Sequence, residues 1–192
     1  MPDIFDVLAE RRSVRSYTGE EVSEEHLNII LEAACCAPSA GNLQAYEIVV
    51  VRDPERRKLL AKASYNQDFM VEASVHLVFL ALPSRSAVRY GRRGEELYSL
   101  QDATIAATFA MLAAHALGYG TCWIGAFDDS RVMRVIEAPA DRRPVAIIVI
   151  GKGRGEEGLT RRRKMGSFVF SERHGVPFEH RPAMSKLMRP GC

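Results

Sequence analysis

The sequence predicts one domain in which helices and strands alternate around a single β-sheet, with helices covering both faces. Three observations point there. Apolar runs at Glu47–Val51, where Ile48 to Val51 are all β-branched, at His76–Leu82 and at Val145–Ile150 have the length and composition of buried strands. The segments between them carry apolar residues at helical spacing. Neither an internal repeat nor a linker divides the 192 residues, so one core can collect all of these elements.

The first helix carries Ile4, Phe5, Val7 and Leu8 and runs into Arg11-Arg12-Ser13-Val14-Arg15-Ser16-Tyr17. Guanidinium forks and serine hydroxyls suit phosphate oxygens. A solvated helix end, where the dipole favours cations, accounts for the arginines equally well. Ser23 caps a second helix, with Glu24 and Glu25 in its first turn and Leu27, Ile30, Leu31 and Ala34 on its apolar face. Pro38 ends it.

The stretch Ala37 to Tyr46 is rich in small and hydrogen-bonding residues. Gly41 permits a turn or a close approach, and Ser39, Asn42 and Gln44 supply short donors and acceptors. Such a loop between rigid elements suits a polar, planar ligand, and it also suits a plain helix-to-strand connection. Asp53-Pro54 opens a third helix through Leu59, Leu60 and Ala63, and Tyr65 to Asp68 follows as a polar loop. His76, inside an apolar run, reads as a core histidine.

Ser84 to Glu96 is basic, contains Gly91 and Gly94, and reads as an exposed segment. The longest helix is expected from about Leu97 to Leu117. Its many alanines suggest close packing on another helix or a second subunit, and Gly118 and Gly120 end it. Thr121 to Phe127 is extended and apolar, with small residues at Gly125 and Ala126. Asp128 or Asp129 caps a short helix, and Pro144 starts the last core strand. Beyond Gly151 the chain turns polar and basic. Gly153 to Gly158 matches G-x-G-x-x-G, but no apolar helix and no βαβ unit follow, so a dinucleotide fold is rejected. Phe168-Val169-Phe170 is a candidate final strand.

Several function classes fall away. A net charge of +2 without an aromatic-basic stripe argues against nucleic acid. Cys35, Cys36, Cys122 and Cys192 have neither disulfide-framework nor metal spacing, so no metal is expected and the thiols read as reduced. No signal peptide or membrane span is visible, and a cytoplasmic location is expected.

In order and spacing, Arg11 to Tyr17, Ala37 to Gln44, Gln101-Asp102-Ala103, Leu117 to Phe127 and an Arg-Lys pair after the last strand resemble the FMN-dependent nitroreductase family over roughly residues 5 to 165. The resemblance implies an α+β, nitroreductase-like fold: a central mixed β-sheet flanked by helices, in an intertwined homodimer with two FMN sites at the interface. It implies one FMN-binding domain over residues 1–192, with the tail 171–192 wrapping the partner subunit or left loose. By the same resemblance, Arg11, Ser13 and Arg163 hold the FMN phosphate, Arg12 joins them, and Arg15 faces the anionic edge of the flavin. Arg161 and Arg162 remain alternatives to Arg163. Pro38, Ser39, Ala40 and Asn42 match the loop that reaches the flavin from the other subunit, and Asn66 matches an amide on the pyrimidine edge. Ile124, Gly125 and Ala126 match the segment behind the ring. Phe69 and Gly125 stand where some members carry a cation and a glutamate.

The implied chemistry is ping-pong transfer from NADH or NADPH, through the flavin, to nitroaromatic or quinone acceptors, with no side-chain catalytic acid. Arg15 and the backbone of Gly125 give electrostatic support. The alternatives are a reductive dehalogenase or a flavin-fragmenting enzyme on the same scaffold, or a non-enzymatic flavin-binding protein. Ser84 to Glu96 is the candidate lid. Its Arg85, Arg89, Arg92 and Arg93 are open to an anionic acceptor, the phosphates of NADPH, or plain solvation.

Overall fold

The computed structural model describes residues 2–155, 158 and 160–187. The chain divides into two compact units: Met1–Arg12 with Glu157–Cys192, and Ser13–Glu156. In the smaller, helix α1 (Ile4–Glu10) is closed by a reciprocal capping box between Asp3 and Asp6. Lys186 binds both carboxylates, at 2.8 Å from Asp3 and 2.7 Å from Asp6, and so ties the end of the described chain to its beginning. This contact holds the Asp3 carboxyl below its ordinary range and pushes the Lys186 ammonium up. The expected strand at Phe168–Phe170 is absent. A short 3-10 turn covers Met165–Ser167, and only an isolated bridge joins Phe170 to Pro177.

The larger unit holds a four-stranded sheet: β1 (Tyr46–Val51), β2 (Val75–Ala81), β3 (Gly120–Ile124) and β4 (Arg143–Gly151), in the order β1-β2-β4-β3. All three pairings are antiparallel, which corrects the expected mixed sheet. The helix between β1 and β2 and the helix between β3 and β4 each bring the chain back reversed beside or near the strand it left. Among the described residues, the parallel pairing is the isolated bridge of Ser13 to Thr121 on the free edge of β3.

β2 is buried along its whole length, and alternate residues serve opposite faces. Val75, Leu77 and Phe79 pack with α2 (Glu24–Cys35) and α5 (Ser99–Ala116). Val78 and Leu80 pack with α3 (Pro54–Ala63) and α6 (Asp129–Val135). The helices therefore cover both faces, as the apolar runs predict. The alanines of α5 are used inside the chain: Ala106, Ala107, Ala110 and Ala114 are fully buried against α2 and the sheet. Small side chains let the helix approach closely, and α5 leaves Phe109 exposed. No helix among the described residues is long and apolar enough to cross a membrane.

The segment read as exposed, Ser84 to Glu96, is exposed over most of its length and is helical. α4 spans Pro83–Arg93 and passes through a π-helical turn (Gly94–Tyr98) straight into α5. Proline at its first turn sets the backbone for helix. Gly91, with φ +54°, kinks the helix rather than ending it.

Candidate active site

The Pro38–Ala45 loop is built on left-handed backbone. Gly41 has φ +57°, and Asn42 (φ +57°) and Gln44 (φ +48°) adopt the same region despite their side chains. Such residues persist where surrounding contacts over-determine them. Ser39 Oγ accepts the Gln44 N–H at 3.0 Å, and Gln44 Nε2 donates to Asn42 Oδ1 at 3.2 Å. The main restraint comes from α5. Asp102, 1% exposed, accepts the N–H of Ala40 at 2.9 Å and that of Ala45 at 3.2 Å, one carboxylate oxygen to each end of the loop. Burial, with the Cys35 thiol and Asp102 close by, pushes the Tyr46 phenol up, and its hydroxyl donates to Ala34 O at 3.2 Å. Pro38, Ser39 and Ala40 line an open groove of about 540 Å³ together with Tyr98, Leu100, Gln101, Asp102, Thr104 and Ile105.

A second set of expected residues meets at the far edge of the sheet. Tyr65 (φ +57°) and Asn66 (φ +60°) make a tight left-handed turn after α3. Gln67 then donates to Ser64 O at 3.0 Å and to Ala126 O at 3.3 Å, and the Asp128 N–H bonds Ala63 O at 2.9 Å. These bonds fasten the Asn66 turn to the segment after β3. Ile124 is buried while Gly125 and Ala126 are exposed, and the N–H groups of these two small residues make no hydrogen bond among the described residues. They leave open backbone donors at the end of the strand.

Ser13 lies on the edge of β3 through its bridge to Thr121, and Val14 N–H bonds Thr121 O at 2.9 Å. Tyr17, fully buried, fixes the segment by donating its hydroxyl to Val14 O at 2.7 Å and its N–H to Glu72 Oε2 at 2.9 Å. Arg15 between them is exposed. In the smaller unit, Arg12 Nη1 donates to the carbonyls of Ala9 (2.9 Å), Glu10 and Arg11 (3.1 Å), closing the end of its own helix. Arg163 is exposed and stacks over Phe168 at 5.0 Å.

The Pro38–Ala45 loop enters β1, and Gly125–Ala126 leaves β3. The antiparallel register places both at the same end of the sheet but on opposite edges, three strand spacings or about 14 Å apart. One chain thus carries two candidate half-sites on opposite edges of its sheet. The roles of Asp102 and Gln67 went unassigned from sequence. Asp102 did leave a signal, as the sole acidic residue of α5, one turn before Ala106 on its buried face.

A family model described as "Nitroreductase family" matches residues 8–67 and 61–152. The chain belongs to the nitroreductase family. An Archaeoglobus fulgidus relative, named putative NADH dehydrogenase/NAD(P)H nitroreductase, is 33% identical over 136 residues, covering 71% of this chain and 75% of that one. The Bacillus subtilis protein named FMN reductase [NAD(P)H] is 32% identical over 168 residues, 79% of this chain and 66% of its own. Among solved nitroreductase-like structures, B. megaterium NfrA2 superposes with a TM-score of 0.84 at 28% identity, covering 91% of this chain and 76% of that one. The α+β nitroreductase fold is therefore common to all of them.

Proposed function

We propose that this nitroreductase-family chain is an FMN-dependent NAD(P)H oxidoreductase that reduces nitroaromatic and quinone-type acceptors, and that it works as a homodimer. The observation that carries the reading is where the backbone is strained. Of six non-glycine residues with positive φ among the described residues, four (Asn42, Gln44, Tyr65 and Asn66) lie in the two half-sites. The donor set fits a polar, planar ring. Gly125 and Ala126 offer open N–H groups, Asn66 offers an amide, and Ser39 and Asn42 offer short polar groups. The name of the Bacillus subtilis relative, FMN reductase [NAD(P)H], supports FMN and NAD(P)H.

In the larger unit, Ser13 would serve the phosphate, Arg15 the anionic edge of the ring, Asn66 the pyrimidine edge, and Ile124, Gly125 and Ala126 its rear. In the smaller unit, Arg11 and Arg163 would serve the phosphate by charge and Arg12 through its backbone. Pro38, Ser39, Ala40 and Asn42 would reach the ring held by the other subunit. When bound, FMN supplies two-electron transfer from the reduced nicotinamide to the acceptor. The protein's part is to bind, orient and stabilise charge, and Arg15 favours the more anionic reduced form.

Two features support the homodimer. The half-sites stand on opposite edges of one sheet. Large apolar residues are exposed in the smaller unit, including Ile4, Phe5, Leu8, Phe168 and Phe178.

The test is the visible spectrum of the purified protein and its anaerobic response to NADH and NADPH. A yellow protein that bleaches, recovers its colour with a quinone, and gives parallel double-reciprocal lines is the expected result. A colourless protein that fails to take up added FMN would overturn the reading.

A further inference from the structure

Two guanidinium groups of α4 bend back onto the Pro38–Ala45 loop. Arg85 Nε donates to Leu43 O at 2.5 Å. Arg89, one helical turn on, brings Nη1 to 3.0 Å from the point where a Cβ on Gly41 would stand. Among the described residues no carboxylate lies within 4.0 Å of either group, whereas Arg92 of the same helix is paired with Glu96 at 2.6 Å. Exposed like charges repel and ordinarily spread into water. Here they gather on three residues of backbone, with nitrogens left over to donate. Arg89 lies over the Tyr90 ring at 5.5 Å, and Tyr90 meets Tyr98 edge-on at 5.1 Å. Tyr98 in turn lines the groove beside Ser39 and Ala40. A positive fork, an aromatic pair and a groove follow one another from the loop to the start of α5.

We propose that Arg85 and Arg89 form an anion subsite on the loop beside this groove, which selects aromatic ligands that carry an oxyanion. The fork geometry of arginine suits carboxylate and phosphate alike. The oxyanion belongs either to the electron acceptor, as a carboxylate, or to the reductant, as a ribose phosphate. The inference rests on reading the Ser39–Asn42 loop as a wall of the flavin site.

The test is calorimetric titration of the flavin-loaded protein with two matched pairs of probes, benzoate against benzamide and 2′-AMP against adenosine, for the wild type, Arg89→Gln and Arg89→Lys. The charged member of one pair should bind about tenfold more tightly, the scale of one charge-assisted hydrogen-bonded contact. Arg89→Gln should erase that preference, and Arg89→Lys should keep part of it. Discrimination within the benzoate pair assigns the subsite to the acceptor; discrimination within the adenosine pair assigns it to the nucleotide. Equal binding within both pairs, or a preference that survives Arg89→Gln with an unchanged melting temperature, overturns the proposal. A protein that takes up no FMN would sink the flavin reading instead, and the same titrations on the flavin-free protein would still decide whether the arginines hold anions.

Discussion

The carboxylate of Asp102 accepts the N–H of Ala40 at 2.9 Å, a bond from the first turn of α5 to a loop 62 residues earlier. Its second oxygen takes Ala45, so one buried side chain sets both ends of the loop. Asp102→Ala leaves two backbone donors without their acceptor. It should destabilise the protein by roughly 2–4 kcal/mol in urea unfolding and weaken FMN binding. Asp102→Asn keeps one acceptor but turns a donor toward a donor, so it should recover only part of the loss. An Asp102→Ala protein with unchanged stability and flavin affinity would show that Asp102 does not position the loop.

Gly41 stands beneath Tyr90 and Arg89. A Cβ there would collide with the Tyr90 hydroxyl, on a backbone already at φ +57°. Gly41→Ala should therefore lower stability by about 1–2 kcal/mol, combining left-handed strain with the displaced ring. Tyr90→Phe removes the colliding oxygen, so the double variant should be less destabilised than the sum of the singles. Strict additivity in a double-mutant cycle would show that α4 does not press on the loop.

Much of this arrangement was legible in the chain. The β-branched runs gave the strands, and their continuous apolar character already required cover on both faces. The loop at Ser39–Gln44 and the Gly125–Ala126 step stood out because small polar or bare residues interrupt otherwise bulky elements. Pairing direction was not legible, since nothing local to β2 chooses antiparallel partners on both sides. α4 was hidden because its faces are written in arginine and serine rather than in apolar residues, and its glycine imitates a loop. The role of Asp102 depends on a loop far away in sequence. The Arg12 guanidinium turned out to face its own helix carbonyls, an outcome the local pattern left open.

Gln67 joins the two segments of the second candidate half-site by donating to both Ser64 O and Ala126 O. Gln67→Ala should reduce FMN affinity several-fold, while the unfolding free energy falls by only about 1 kcal/mol, the worth of neutral hydrogen bonds at the surface edge. Gln67→Glu has no donor to offer and should not rescue binding. Fluorescence titration of flavin-free protein separates the two effects. Unaltered affinity in both variants would detach Gln67 from the site.

His76 is fully buried in β2, and its Nε2 lies 2.7 Å from Met70 O. A carbonyl only accepts, so Nε2 carries the proton, and Nδ1 is left without a partner among the described residues. Burial pushes the imidazole down to about 4. The bond to Met70 opposes the shift, and the charge of Arg57 adds to it. The folded state thus binds this proton less readily than the unfolded chain, whose histidine titrates near 6.5. Above that value His76 is neutral in both states and its protonation does not affect stability. As pH falls from about 6.5 toward 4, the unfolded chain takes up the proton first, and stability should drop by roughly 1.4 kcal/mol per pH unit, about 3 kcal/mol in all. His76→Phe should flatten that limb of the profile, at some cost at neutral pH because Met70 O loses its donor. Urea midpoints between pH 4 and 7 measure both curves. Parallel slopes for the two proteins would mean that another group governs the acid limb.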